Sequence, residues 1–156
     1  MKTNVLPSLL LSALCLAGAA GAAENEVVAL GFDKLASYEF VAPEDPAKAA
    51  AAETQIPTKI REFNDKKVAV TGFMLPVKMD GGLVTEFLLV KDPMMCCYGV
   101  VPNMNEWVVV RMAKGVRPVM DVPISFAGEF KVGAMFENGY MTGIYYLEGE
   151  KMAGKG

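Results

Sequence analysis

Between Ile124 and Val132 the chain sets Ile124, Phe126, Phe130 and Val132 at even spacing, with Gly128 among them and mostly polar or small residues in the alternate positions. A two-residue period turns one side of an extended chain toward a core and the other toward water. It predicts a strand over 122–132, with Pro123 confined to its start and Gly128 at a bend where the sheet curls. Four other segments read as strands. Residues 67–75 are rich in β-formers, and 83–90 follow an Asp80-Gly81 hairpin signal. Residues 106–112 resume the apolar pattern, and 140–147 follow the Asn138-Gly139 turn.

Upstream the period changes. Ile56, Ile60 and Phe63 stand at four- and three-residue spacing, which predicts a short amphipathic helix over 56–63 with Pro57 at its start. Residues 43–53 are small, charged and bounded by proline, the composition of an exposed linker with a helical turn or two. Residues 27–40 show no clean period and read as a loose arm. Five curled antiparallel strands with one short helix predict a mainly β fold, a small barrel of the oligonucleotide/oligosaccharide-binding type, with a half-open sandwich as the competing architecture.

The first residues carry an address. Lys2 precedes an apolar run over 5–18 and then Ala19-Ala20-Gly21-Ala22-Ala23, the layout of a signal peptide cleaved after Ala22 or Ala23. The run is too short for a stable membrane span. Cys15 is expected to leave with it, because Ser12-Ala13-Leu14 lacks the small residue that a lipoprotein site places before its cysteine. The chain therefore divides into a signal peptide (1–22), an arm and linker (23–55) and a barrel domain (56–150), expected in the periplasm or outside the cell.

Charge and composition narrow the function. With 18 acidic against 15 basic residues and a net charge of -3, the clustered positive charge that nucleic-acid phosphates require is missing. There is no histidine, which removes Ser-His and Cys-His nucleophile pairs and the usual imidazole zinc ligands. No residue is assigned a catalytic role.

The chemistry left to the mature chain lies in Cys96 and Cys97, which stand side by side. Three readings compete. Free thiols pack readily under loops. Two thiolates with thioethers from Met94, Met95 and Met104 suit a soft ion, Cu(I) above all. A vicinal disulfide is the third, because adjacent Cα atoms lie about 3.8 Å apart, below the usual disulfide range of about 4.4–6.8 Å, and a strained bond is a labile one. Around the pair, Tyr98 and Trp107 offer aromatic faces, Glu106 a carboxylate and Asn105 an amide for a ligand at the barrel rim. Packing and loop capping explain the same residues without a ligand. Glu86 interrupts an apolar run between Val84 and Phe87, so its ionisation depends on whether it points inward.

In order along the chain, Val-Ala-Val-Thr-Gly-Phe-Met-Leu-Pro76, Glu-Phe-Leu-Leu-Val90, Cys-Cys-Tyr-Gly99, Pro102, Asn-Glu-Trp107, Asp-Val-Pro123, Gly-Glu-Phe130, Val-Gly133 and Gly143-Ile-Tyr145 resemble the pattern of an exported bacterial family classed as a domain of unknown function. The resemblance spans roughly residues 30–147, with Cys-Cys-aromatic-Gly, Pro and Asn-Glu-Trp its most specific stretch. It implies a small exported β-barrel domain and transfers no catalytic residue. The expected function is a periplasmic accessory or binding protein for a small ligand or a protein partner, with copper as the metal if the cysteine loop holds one. The alternative is a thiol-disulfide protein that uses the vicinal pair.

Overall fold

The computed structural model describes residues 27–94 and 101–155. Strands β1 (Val28–Leu30), β2 (Lys66–Asp80), β3 (Leu83–Val90), β4 (Trp107–Val116), β5 (Ile124–Glu137) and β6 (Tyr140–Lys155) form one sheet, accompanied by three short helices, α1 (Phe32–Leu35), α2 (Ala49–Thr54) and α3 (Thr58–Arg61). The order is β1-β2-β3-β4-β6-β5, and β5 also pairs with β2, so the sheet closes in a ring. Closure depends on the length of β2. Its first half pairs with β5, from Lys66↔Phe130 to Gly72↔Ile124, and its second half pairs with β3, beginning at Phe73↔Val90. The hand-over falls at Gly72, where a Cβ would lie 2.8 Å from the Val90 carbonyl oxygen. Only a residue without a side chain lets the two neighbours exchange there.

The sheet is mixed, which corrects the all-antiparallel expectation: β1 runs parallel to β2, and β4 parallel to β6. It also has six strands where five were expected. The sixth, β1, comes from the segment read as a loose arm, where Leu30, Phe32, Leu35 and Phe40 are all buried. Three residues of strand, one turn of helix and an extended tail each follow their own period, so no single period spans the segment. The helix expected over 56–63 is confined to Thr58–Arg61, with Pro57 as its N-cap and Ile60 buried. Residues 43–53, expected as an exposed linker, contain a 3-10 turn at Pro46–Lys48 and most of α2, and Ala52 is buried.

Alternation holds in β5, where Ile124, Phe126 and Phe130 point into the ring, while Val132 is half-buried where the strand leaves the core. Phe87 packs on Phe126 with ring centroids 4.8 Å apart, and Phe130 stacks on Tyr145 at 5.6 Å. Both long hairpins turn on left-handed pairs, Gly81 with Gly82 and Asn138 with Gly139 (φ 52° and 84°), a conformation that fits the twist of the flanking strands. Among the described residues no helix is long and apolar enough to cross a membrane.

Candidate functional site

Of the residues expected at the site, Met95, Cys96, Cys97 and Tyr98 lie outside the described residues; the two limbs that carry the loop are within them. The stem is fastened twice. Val90 pairs with Trp107 as the last rung of the β3/β4 ladder. Beyond it the Lys91 amide donates to the Glu106 carbonyl at 3.0 Å, and Lys91 Nζ meets Glu106 Oε1 at 3.0 Å. Glu106 Oε2 accepts the Asn103 amide at 3.1 Å, closing a capping box over the 3-10 turn Met104–Glu106. Burial pushes the Glu106 carboxyl up, but Lys91 and Asn103 outweigh it and hold the group below its ordinary value. Glu106 is thus engaged within the stem.

Asn105 is 2% exposed, and its Nδ2 donates to the Tyr38 carbonyl at 2.6 Å. Tyr145 Oη donates to the Leu35 carbonyl at 3.0 Å, so Tyr38, 2.7 Å away, is the donor between the two phenols. The return limb of the loop is tied in this way to the segment carrying α1. Burial pushes Tyr145 up, as does its bond with Tyr38, so the phenol stays protonated well into the alkaline range. Tyr145→Phe leaves the Leu35 carbonyl without its donor and is expected to cost about 1–2 kcal/mol. Urea unfolding measures it; a change within about 0.3 kcal/mol would mean that solvent replaces the bond.

The two described methionines of the proposed donor set sit in different surroundings. Met94 is half exposed on the outgoing limb, whereas Met104 packs against the core and borders a hollow shared with Phe136, Tyr140 and Met141. Trp107 is half-buried, with its Nε1 3.4 Å from the Thr142 carbonyl. At Gly143 a Cβ would come within 3.3 Å of that nitrogen, so the absence of a side chain there lets the indole N–H approach β6.

From Trp107 a row of side chains continues along the outer face of the ring. Phe87, Leu89, Val108 and Val110 are buried within the ring, so Leu88, Glu86, Val109 and Arg111 face out, in the cross-strand pairs Leu88↔Val109 and Glu86↔Arg111. These pairs floor a groove of about 580 Å³, walled by Val77, Met135, Phe136, Glu137, Tyr146 and Glu148. Its polar end is an ion network. Arg111 Nε is 2.5 Å from Glu86 Oε2, Lys78 Nζ 3.1 Å from Glu86 Oε1, and Arg111 Nη2 3.3 Å from Glu137, while the guanidinium lies over the Tyr146 ring at 5.5 Å. Glu86 is 7% exposed. Burial raises its affinity for a proton, but the bonds and charges of Arg111 and Lys78 prevail and lower its pKa. Arg111, bonded to Glu86, is held above its ordinary value.

Sequence reasoning singled out Glu86 and Trp107 but missed Arg111 and Glu137. Arg111 breaks the apolar run from Trp107 to Met112 just as Glu86 breaks its own, but the long connection between Val90 and Trp107 leaves the register that sets the two opposite each other unspecified in the sequence. Among the described residues no three histidine, cysteine, aspartate or glutamate side chains cluster to hold a metal ion.

No protein with a curated description matches the chain. Among solved structures, it resembles the crystal structure of a DUF3299 family protein from Pseudomonas aeruginosa PAO1. The two are 25% identical with a TM-score of 0.57 over 83% of this chain and 96% of that one. A family model described as "Protein of unknown function (DUF3299)" matches residues 23–153, and the chain with its closed six-strand sheet belongs to that family.

Proposed function

We propose that the chain is an exported binding protein whose ligand lies in the outer-face groove, with the Cys96-Cys97 loop at one end of the site. The observation that carries this reading is the unbroken outer row Val90–Trp107, Leu88–Val109 and Glu86–Arg111, which leads from the stem of the loop to the ion network of the groove. Ligand sites are characteristically concave and mostly apolar, with a few fixed polar groups. A stiffly held Glu86–Arg111 pair between Leu88, Val109, Met135 and Phe136 has that make-up. The reading includes an oligonucleotide/oligosaccharide-binding type of barrel: β2 to β6 supply five strands closing on themselves, and such barrels take ligands on the face between their long hairpins. The groove's carboxylates and the chain's net charge of -3 favour a ligand other than nucleic acid. In the metal form of the reading, Cys96, Cys97, Met94, Met95 and Met104 hold Cu(I) at the loop end, with Met104 supplied from its partly buried place beside the core.

Methyl-resolved NMR with a library of neutral fragments tests the groove. Hits are expected to move the methyl signals of Leu88, Val109 and Met135 and to lose at least tenfold in affinity in Val109→Glu, whose side chain is half-buried and outward-facing. Shifts confined to the separate hollow between α1 and α3, lined by Lys34, Ile60 and Phe63, would overturn the reading. Cu(I) titration against a competing chelator addresses the loop, because Trp107 is the chain's single tryptophan and reports from its stem. Cys96→Ser and Cys97→Ser should each weaken binding sharply; unchanged affinity in the double variant removes the metal.

A further inference from the structure

Beyond Met112 and Gly149, strands β4 and β6 part. They pair in parallel over four positions only, Val109↔Tyr146 to Met112↔Gly149. After that β4 runs on to Val116 and β6 to Lys155 with no strand between them among the described residues. A second hollow, about 400 Å³, opens at this fork and adjoins the groove at Arg111, Tyr146 and Glu148, which line both, so the two hollows succeed one another as a channel along the outer face. Its far half offers main-chain donors and acceptors along two unpaired sheet edges, the feature by which an extended peptide adds itself to a sheet.

Charge along the channel selects the peptide. Glu148 is the register partner of Arg111, yet the guanidinium turns to Glu86 and Glu137, and Glu148 has no ion pair among the described residues. On its other side Glu148 stands directly opposite Glu129 of β5; Lys131 pairs with Glu129, which leaves Glu148 as the member of this like-charge cross-strand pair without an ion pair among the described residues. Lys131 is engaged by Glu129 and Asp65, and Lys67 by Glu150, so neither serves Glu148.

Resting on the groove reading above, we infer that the occupant is an extended peptide segment that sets an apolar side chain on Leu88 and Val109, pairs its backbone at the β4/β6 fork and places a basic side chain against Glu148. Polyanions and acidic peptides are excluded by the same carboxylates.

The probe is a fluorescein-labelled heptapeptide of alternating valine and serine with a central lysine, compared with glutamine and glutamate at that position, in anisotropy titrations of the full mature chain. The lysine peptide is expected to bind at least tenfold tighter than the glutamine peptide, and the glutamate peptide more weakly still. Glu148→Gln, an exposed substitution that leaves the fold intact, should erase the lysine advantage, whereas Glu62→Gln on the far side should not. N-methylation of alternate peptide amides should cost a further tenfold. Equal affinity for all three peptides would overturn the inference while leaving neutral-fragment binding, and with it the groove, standing. Tight binding of spermidine together with indifference to N-methylation would also overturn it, assigning the channel to a small cation. Absence of peptide binding at millimolar concentration does so as well, and the separate fragment experiment then decides the groove.

Discussion

Alanine at Gly128 is expected to destabilise the protein by about 3 kcal/mol, the upper end of what overpacking a tight interior costs. Gly128 sits where β5 is paired on both edges, with Val68 of β2 on one side and Gly149 of β6 on the other. An added Cβ would overlap the Glu148 carbonyl oxygen and lie 2.8 Å from the carbonyl carbon and 3.1 Å from Gly149 Cα. All three are backbone atoms, so no side chain can swing aside. Relief requires β6 to move off β5 at the position where the ring is held shut. Urea unfolding of Gly128→Ala should show the loss, while Gly154→Ala, with open space around its added carbon, should stay within about 0.5 kcal/mol of the parent. A loss below about 1 kcal/mol at Gly128 would mean that the strands separate locally at little cost, and Gly128 would no longer account for closure.

Gly128 stood out in the sequence because a glycine fell within an otherwise regular two-residue period, and the β5/β6 register shifts between Ala127 and Gly128; 83–90 was read with the bounds that β3 takes. Other strands were read short. β2 continues through Pro76 to Asp80, β5 to Glu137 and β6 to Lys155. The excess of β2 and β5 lies at hairpin ends that are exposed or half-buried, where little alternation is imposed, whereas that of β6 pairs with the first half of β5, from Ala127↔Lys151 to Ile124↔Lys155, in mostly exposed positions. The parallel β4/β6 pair depends on which strand returns beside which, a long-range choice that local period does not encode. Of the candidate site, Cys96 and Cys97 lie outside the described residues, while Trp107, singled out in the sequence, pairs with Val90 on the strands that flank them. The groove was not legible. It requires Glu86 and Arg111 to face each other across two strands and Glu137 to reach back from the tip of a third. Asn105 was read as a rim residue from its place beside Glu106 and Trp107, whereas its partner, Tyr38, is distant in sequence.

Arg111→Leu is expected to cost about 2 kcal/mol near neutral pH, with a cost that depends on pH. Removing one partner of a buried ion pair costs about 3–5 kcal/mol. Here half of the arginine side chain is exposed and Lys78 stays 3.1 Å from the carboxylate, so the loss falls below that range. In the parent, Arg111 and Lys78 hold the Glu86 carboxyl below its ordinary value. Their stabilisation is complete above the unfolded glutamate pKa and fades as pH falls through the lower folded one. In the variant, burial is opposed by Lys78 alone, and the folded carboxyl takes up its proton at higher pH. The gap between the two proteins should be widest near pH 7 and narrow as pH falls through the lowered folded pKa of Glu86 in the parent, below which the carboxyl is neutral in both. Glu86→Leu combined with Arg111→Leu should recover most of the loss, since no uncompensated charge then stays buried in the outer face. Chemical unfolding of the three proteins at several pH values gives the comparison. A cost for Arg111→Leu that does not change as pH falls from 7, or a double variant no more stable than the single one, would show that the arginine acts through the packing of its guanidinium on Tyr146 rather than through its charge on Glu86.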